Sequence, residues 1–248
     1  MEAPLYSHTP PEPSTPRTGW LWASPRHLAG DDGDLAEAVG HTLTGAGWSC
    51  WTTAHKSSFH SSPDQLRSAE WVLADPLTTG LGDLPIAWEI SAREAPDRGI
   101  AAWTAYFTAG IPHEALTAFV LALDVRNEPA WGFDGIDAVT QVLAAADWAP
   151  DADDPAHTFW DVSMTSCWSW AVLPAGIEDQ DPRPDLPGWM AWSQPELGRP
   201  YLWCAAFSHS APQDLIGAFA EALVAPAPVP RRILPAVSER CLTVSHMP

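Results

Sequence analysis

Basic side chains are what this chain has least of: there is one lysine, Lys56, and 12 lysines and arginines stand against 31 acidic residues, for a formal charge of -19. The deficit is evenly spread, since residues 1–124 hold 6 basic and 15 acidic side chains and residues 125–248 hold 6 and 16. Affinity for nucleic acid comes largely from Lys and Arg on phosphates, so the composition excludes direct binding of duplex DNA as a main activity, and the same sign argues against anionic membranes. Cysteine is scarce as well. Cys50, Cys167, Cys204 and Cys241 have neither the close paired spacing of a metal or redox motif nor the density of a disulfide scaffold, and they read as reduced thiols. No stretch approaches the roughly 18 uninterrupted apolar residues of a membrane span. Met1–Arg17 contains five prolines and no apolar run, so it reads as neither a secretory signal nor an anchor, and a cytoplasmic protein is expected. Phosphate loops, dinucleotide fingerprints, metalloprotease helices and nucleophile elbows are missing too, and no cofactor or metal is expected.

The chain does contain a repeat. Trp103, Ala105, Phe107, Pro112, Ala118, Phe119, Ala122 and Leu123 recur as Trp203, Ala205, Phe207, Pro212, Ala218, Phe219, Ala222 and Leu223. A second block keeps the offset of 100, with Ala38, Val39, Leu43, Ala46 and Trp48 answered by Ala138, Val139, Leu143, Ala146 and Trp148. In the first block, apolar residues alternate at 103, 105 and 107 as in a strand. Pro112 then suits a first helical turn, and the period changes to that of a helix at Leu116, Phe119, Val120 and Leu123. In the second, Asp34 and Glu37 have capping-box spacing, Leu35, Val39, Leu43 and Ala46 lie at helical intervals, and Gly47 ends the run. Between the blocks lie about 50 residues per copy, rich in Trp, Thr, Val and Ser and broken by turn residues, which read as an antiparallel meander. The expected fold is α+β: a tandem duplication, each copy a helix, a mostly antiparallel sheet of about four or five strands, and a C-terminal helix packed on one face. The expected division is a flexible Pro-rich tail (1–18), the first repeat (19–124), a linker (125–133), the second repeat (134–224) and a loose Pro-rich C-terminal tail (225–248) with a short strand near Arg232–Leu234. The two units could still share one sheet.

The order of features, Ser24-Pro-Arg-His-Leu-Ala-Gly30, a helix, Ala46-Gly-Trp48, Ser62-Pro-Asp64, then Trp103-x-Ala-x-Phe107 with Pro112 before a final helix, resembles the SPDY domain family. That family has no established function, is known from filamentous actinobacteria and usually has two copies per chain. The likeness spans residues 24–124 closely and 133–224 less so. Gln65 stands where the family motif has Tyr, and the second copy reads Ser163-Met-Thr-Ser166 with no Pro-Asp. The resemblance implies the tandem architecture and an intracellular actinobacterial setting, and it implies no reaction.

Candidate site residues follow from chemistry. Ser62, Pro63 and Asp64 form the most motif-like loop, either a turn between strands or a ligand contact. Asp151, Asp153, Asp154 and His157 gather cation-type ligands but lack the glycine and distal Glu of a calcium loop, and read as solvated. His55 and His60 lie near Asp64 in sequence, where a histidine can serve as a general base. Tryptophan is the larger oddity, at fifteen residues. Trp48, Trp103, Trp148 and Trp203 sit at repeated positions and read as core. The unrepeated Trp51, Trp88, Trp168, Trp170, Trp189 and Trp192 lie in expected strands, where some would face outward and build a binding surface. The reading favoured by these features is a non-catalytic interaction module, binding a protein partner selected as basic by the acidic flanks; a homo-oligomer is compatible with it. The alternatives are a small-ligand or carbohydrate binder with a Trp-lined groove, and an enzyme using Asp64 with His60 or Glu89 as acid and base.

Overall fold

The computed structural model describes residues 19–72, 80–132, 135–172 and 187–247. Among these, five α-helices and fourteen strands follow one another in an α+β chain. The first half holds β1 (Leu21–Ser24), α1 (Arg26–Ala29), α2 (Leu35–Gly45), β2 (Ser49–Thr52), β3 (Ser58–Ser61), β4 (Arg67–Trp71), β5 (Gly80–Leu81), β6 (Leu84–Ala92), β7 (Trp103–Thr108) and α3 (His113–Asp124). The second holds α4 (Asp137–Ala145), β8 (Ala149–Pro150), β9 (Thr158–Trp160), β10 (Ser166–Trp170), β11 (Pro187–Ser193), β12 (Trp203–Ser208) and α5 (Gln213–Val224), followed by β13 (Val229–Arg231) and β14 (Thr243–His246). The expected N-terminal tail lies outside the described residues, as does Phe133 in the expected linker.

One antiparallel sheet runs through both halves in the order β2-β3-β4-β6-β7-β12-β11-β10-β9-β8, with β5 paired to β6 at the side. The halves meet at β7 and β12, where Tyr106 pairs with Ala206, Phe107 with Ala205 and Ala105 with Phe207. Tyr106 therefore faces its own counterpart, Ala206, while positions 105 and 107 face each other's counterparts, as in the self-complementary interface of a two-fold dimer. Side chains repeat the symmetry: Ser208 Oγ accepts from the Thr104 amide at 3.0 Å, and Thr108 Oγ1 accepts from the Cys204 amide at 2.8 Å.

The long helices form one layer, α2 on α3, α3 on α5 and α5 on α4, against a single face of the sheet. Alternation along β7 and β12 sends Trp103, Ala105, Phe107, Trp203, Ala205 and Phe207 into that layer, and all six are buried. At its centre Phe107, Phe119, Phe207 and Phe219 stack with ring centroids 5.4–5.8 Å apart, in edge-to-face and tilted contacts. The segment preceding each half closes the other: Trp203 Nε1 donates to the His27 carbonyl at 2.8 Å, and Trp103 Nε1 to the Pro129 carbonyl at 2.7 Å.

Two sequence expectations change. The C-terminal segment is not loose: β13 and β14 flank β1 in a second sheet of three strands, and the strand falls at Val229–Arg231, just before the expected position. Arg231 is wholly buried, with Nη1 and Nη2 each 2.7 Å from a carboxylate oxygen of Glu114 and Nε donating to the Gly30 carbonyl at 2.8 Å. That bidentate pair carries an ordering force that a Pro-rich composition hides. Asp34 does occupy the N-cap of α2 but caps nothing with its side chain, because Arg232 Nη2 holds the carboxylate at 3.0 Å.

Candidate functional site on the open face of the sheet

The face of the large sheet opposite the helices carries no helix among the described residues. Pairing fixes which side chains line up there. Trp51 lies opposite Phe59, Phe59 opposite Glu70, Glu70 opposite Glu89 and Glu89 opposite Tyr106, and Tyr106 leads across the join to Ala206, Met190, Ser169 and Thr158. The neighbouring row reads Ser49, Ser61, Ser68, Ser91 and Thr104 in the first half. Its counterpart in the second half reads Ala149, Trp160, Cys167, Trp192 and Cys204.

The Glu70 and Glu89 carboxylates lie on paired positions, and no Lys or Arg among the described residues forms an ion pair with either. Glu70 takes a hydrogen bond from Ser57 Oγ. Burial, and then the charge of Glu70, raise the Glu89 carboxyl above its ordinary range. Burial and then Glu89 push up the Tyr106 phenol in turn, against a hydrogen bond involving Thr104. The result is a half-buried anionic strip bounded by the exposed indole of Trp51, whose ring lies 4.9 Å from that of Phe59. A groove of about 450 Å³ opens at this end, lined among others by Trp51, Phe59, Ser62, Pro63 and Arg93.

The expected Ser62-Pro63-Asp64 loop thus meets Trp51, but its own polar atoms are engaged. Ser62 Oγ donates to Asp64 Oδ1 at 2.6 Å, the Leu66 amide donates to the same oxygen at 3.0 Å, and Arg67 pairs with Asp64 Oδ2. Burial alone would raise the Asp64 carboxyl, yet these bonds outweigh it and hold the group below its usual range. Arg67 continues inward, donating through Nε to the Leu123 carbonyl at 2.9 Å at the C-terminal end of α3, a favoured place for a cation. The second half builds the same turn without Pro-Asp: Asp161 replaces Ser62 and accepts from the Thr165 and Ser166 amides, each at 2.6 Å. Gln65 and Met164 share the left-handed backbone that closes the two turns.

Four of the six unrepeated tryptophans belong to the core. Trp88, Trp168, Trp170 and Trp189 point to the helix side and are at most 8% exposed, so they build no surface. Register decides this, since Trp168 pairs with Phe159 and Trp170 with Trp189. Trp192 lies on the open face, edge-on to Trp160 at 6.2 Å. It lines a pocket of about 260 Å³ with Ser169, Met190, Tyr201 and Cys204. The β5–β6 turn roofs this pocket: Gly82 has φ +58, and a Cβ there would fall 2.7 Å from Cys204 Sγ, so the close approach requires glycine.

The acid and base suggested by sequence do not converge. His60 is buried on the helix side, Asp64 is locked to Arg67, and Glu89 lies on the open face. Asp151, Asp153, Asp154 and His157 bond among themselves and to Trp160 Nε1, as a self-satisfied loop. A cluster that sequence reading missed, Asp31, Asp32 and His113, has ligand-type atoms within 4.8 Å of one another, joined from segments about 80 residues apart with no local signal.

The sandwich of one helical layer on a shared antiparallel sheet is accompanied by a family match. The family model SPDY, described as a domain of unknown function (DUF317), matches residues 61–130 and 175–229, half of the chain, and the chain belongs to this family. No curated protein and no solved structure matches it.

Proposed function

We propose that the chain is a tandem pair of SPDY units acting as a non-catalytic interaction module in the cytoplasm, which grips a basic segment of a protein partner across the open face of the first half. What supports the tandem reading is the pair of matched segments and the two-fold pairing of β7 with β12. The observation that carries the functional reading is the row Trp51, Phe59, Glu70, Glu89 and Tyr106, in which two carboxylates lie opposite each other with aromatic rings at both ends. A Lys or Arg head between the carboxylates would relieve their repulsion while its stem packs on the rings. Such binding releases the extra proton held by Glu89, so affinity rises with pH through the raised Glu89 range. Titration of the full chain with a fluorescent arginine-rich peptide tests the reading: Glu70→Gln with Glu89→Gln is expected to weaken binding about tenfold, or about 1.4 kcal/mol. Unchanged affinity in that double variant would overturn it. Duplex DNA in a mobility-shift titration at low salt is expected not to bind, because the mean field of both halves repels phosphate.

A second reading rests on the pocket under Gly82, where Trp192, Tyr201 and Met190 offer an apolar slot with Ser169 as a polar point. It fits a small planar ligand better than a sugar chain, which needs a longer groove.

A further inference from the structure

Cys50 and His60 face each other across β2 and β3 on the helix side of the sheet, with Cys50 Sγ 3.6 Å from His60 Nε2. Cys50 is exposed on the outermost strand, whereas His60 is 4% exposed. The other ring nitrogen, Nδ1, is buried without a hydrogen-bond partner among the described residues, and the ring lies 5.8 Å from that of Trp88. Among the described residues, the cysteine sulfur is therefore the one polar group within hydrogen-bond distance of the imidazole. Burial lowers the His60 pKa and so favours the neutral imidazole, the form that can act as a base.

Gly40 completes the arrangement. It lies inside α2, where glycine is less favourable than alanine, and a Cβ there would come into ordinary contact with the ring, 3.7 Å from His60 Cε1 and 3.8 Å from Nε2. Its missing side chain leaves open the edge of the imidazole beside the thiol. The second half has Thr140, Pro150 and Phe159 at the corresponding places, with Pro150 paired to Phe159, so thiol, imidazole and gap are all replaced there. The other thiols are built differently. Burial, the largest cause in each, pushes Cys167 and Cys204 up to about 12 and keeps them protonated. Cys241 is exposed, and no imidazole among the described residues is hydrogen-bonded to it.

We propose that Cys50 and His60 form a nucleophile and base pair that exchanges with small disulfides, making Cys50 a site of reversible mixed-disulfide modification. His60 Nε2 takes the thiol proton as Cys50 Sγ attacks one sulfur of the disulfide. The new S–S bond forms, the old one breaks, and the departing thiolate takes the proton from His60 and leaves as a thiol. The disulfide is the oxidant and is half reduced; Cys50 is oxidised.

The test treats the full reduced chain with the chromogenic disulfide dithionitrobenzoate and reads labelling at each cysteine by mass spectrometry. Cys50 is expected to react at least about tenfold faster than Cys241, which is also exposed, since a positioned base contributes that much or more. His60→Phe, which installs the residue of the second half, is expected to bring Cys50 down to the Cys241 rate. Gly40→Ala is expected to slow Cys50 while leaving the melting temperature unchanged or higher, which separates blocked access from unfolding. Equal rates at Cys50 and Cys241 in the wild-type chain would overturn the proposal without any variant, as would a Cys50 rate that neither substitution changes.

Discussion

The two halves of the molecule agree on one face of the sheet and differ on the other. On the helix side, Trp103 and Trp203, Phe107 and Phe207, and Phe119 and Phe219 occupy corresponding buried places at the join. On the open side, Phe59, Glu70, Glu89 and Tyr106 in the first half stand where the second half has Thr158, Ser169, Met190 and Ala206. A row of hydroxyls, Ser49 to Thr104, is likewise answered by one with Trp160, Trp192 and two cysteines. Core positions are constrained by packing at near-crystalline density, while an open face is constrained only by what it touches. The contrast teaches that the two open surfaces differ in chemistry while the core does not: an anionic, aromatic strip in one half and a small apolar pocket in the other.

The strongest way to break this comparison is at the shared core. Phe119→Ala and Phe219→Ala are each expected to cost about 3 to 5 kcal/mol in denaturant melts, and to cost alike, because both rings are fully buried in the same four-ring cluster. A loss below about 1 kcal/mol for either would show that its helix is not docked as described.

The ion pairs at the helix starts should differ instead. Glu114 and Asp214 lie 100 residues apart at the beginnings of α3 and α5, but Glu114 meets the fully buried Arg231 whereas the Asp214 side chain is 58% exposed to solvent beside Arg126. Arg231→Met is expected to cost about 2 to 3 kcal/mol, and Arg126→Met no more than about 1 kcal/mol, by chemical denaturation. Burial alone would raise the Glu114 carboxyl, but the Arg231 bonds and charge outweigh it and hold the group low. A depressed carboxylate contributes stability that is present above the ordinary glutamate range and lost as pH falls through the folded value. Arg231→Met should therefore flatten the acid limb of the stability curve.

The smallest expected effect sharpens the contrast between stability and function. Because burial and Glu70 raise Glu89, the folded state holds the extra proton, and stability is lost as pH rises through the raised value. Glu89→Gln is then expected to stabilise the chain at neutral pH by a few tenths to about 1 kcal/mol, with no gain below the ordinary glutamate range. The same substitution is expected to weaken binding of the arginine-rich peptide if the proposed strip is the binding site. A variant that melts higher at pH 7 and binds less would mark Glu89 as kept for a ligand.

Much of the helix side was legible because burial writes a period into the text. Leu35, Val39 and Leu43, or Leu116, Phe119, Val120 and Leu123, need only local spacing to be assigned, and all are buried. The unrepeated tryptophans are not legible in this way: Trp88 and Trp189 pair with inward neighbours, a relation that only register reveals. The C-terminal segment misled for a different reason. A run such as Pro226-Ala-Pro-Val-Pro230 carries no helical or alternating pattern, and the partner that orders it, β1, is some 200 residues away.

The sequence by itself determined the class of the fold, the offset of 100 and the apolar faces, because each of these depends on residues close together or on a repeated text. Tertiary structure alone decided that the two units share one sheet, that Arg231 reaches Glu114, that Glu70 lies against Glu89, and that Cys50 meets His60. Those contacts are set by strand register and by which edges meet, and a side-chain pattern of period two is the same for every partner a strand could have.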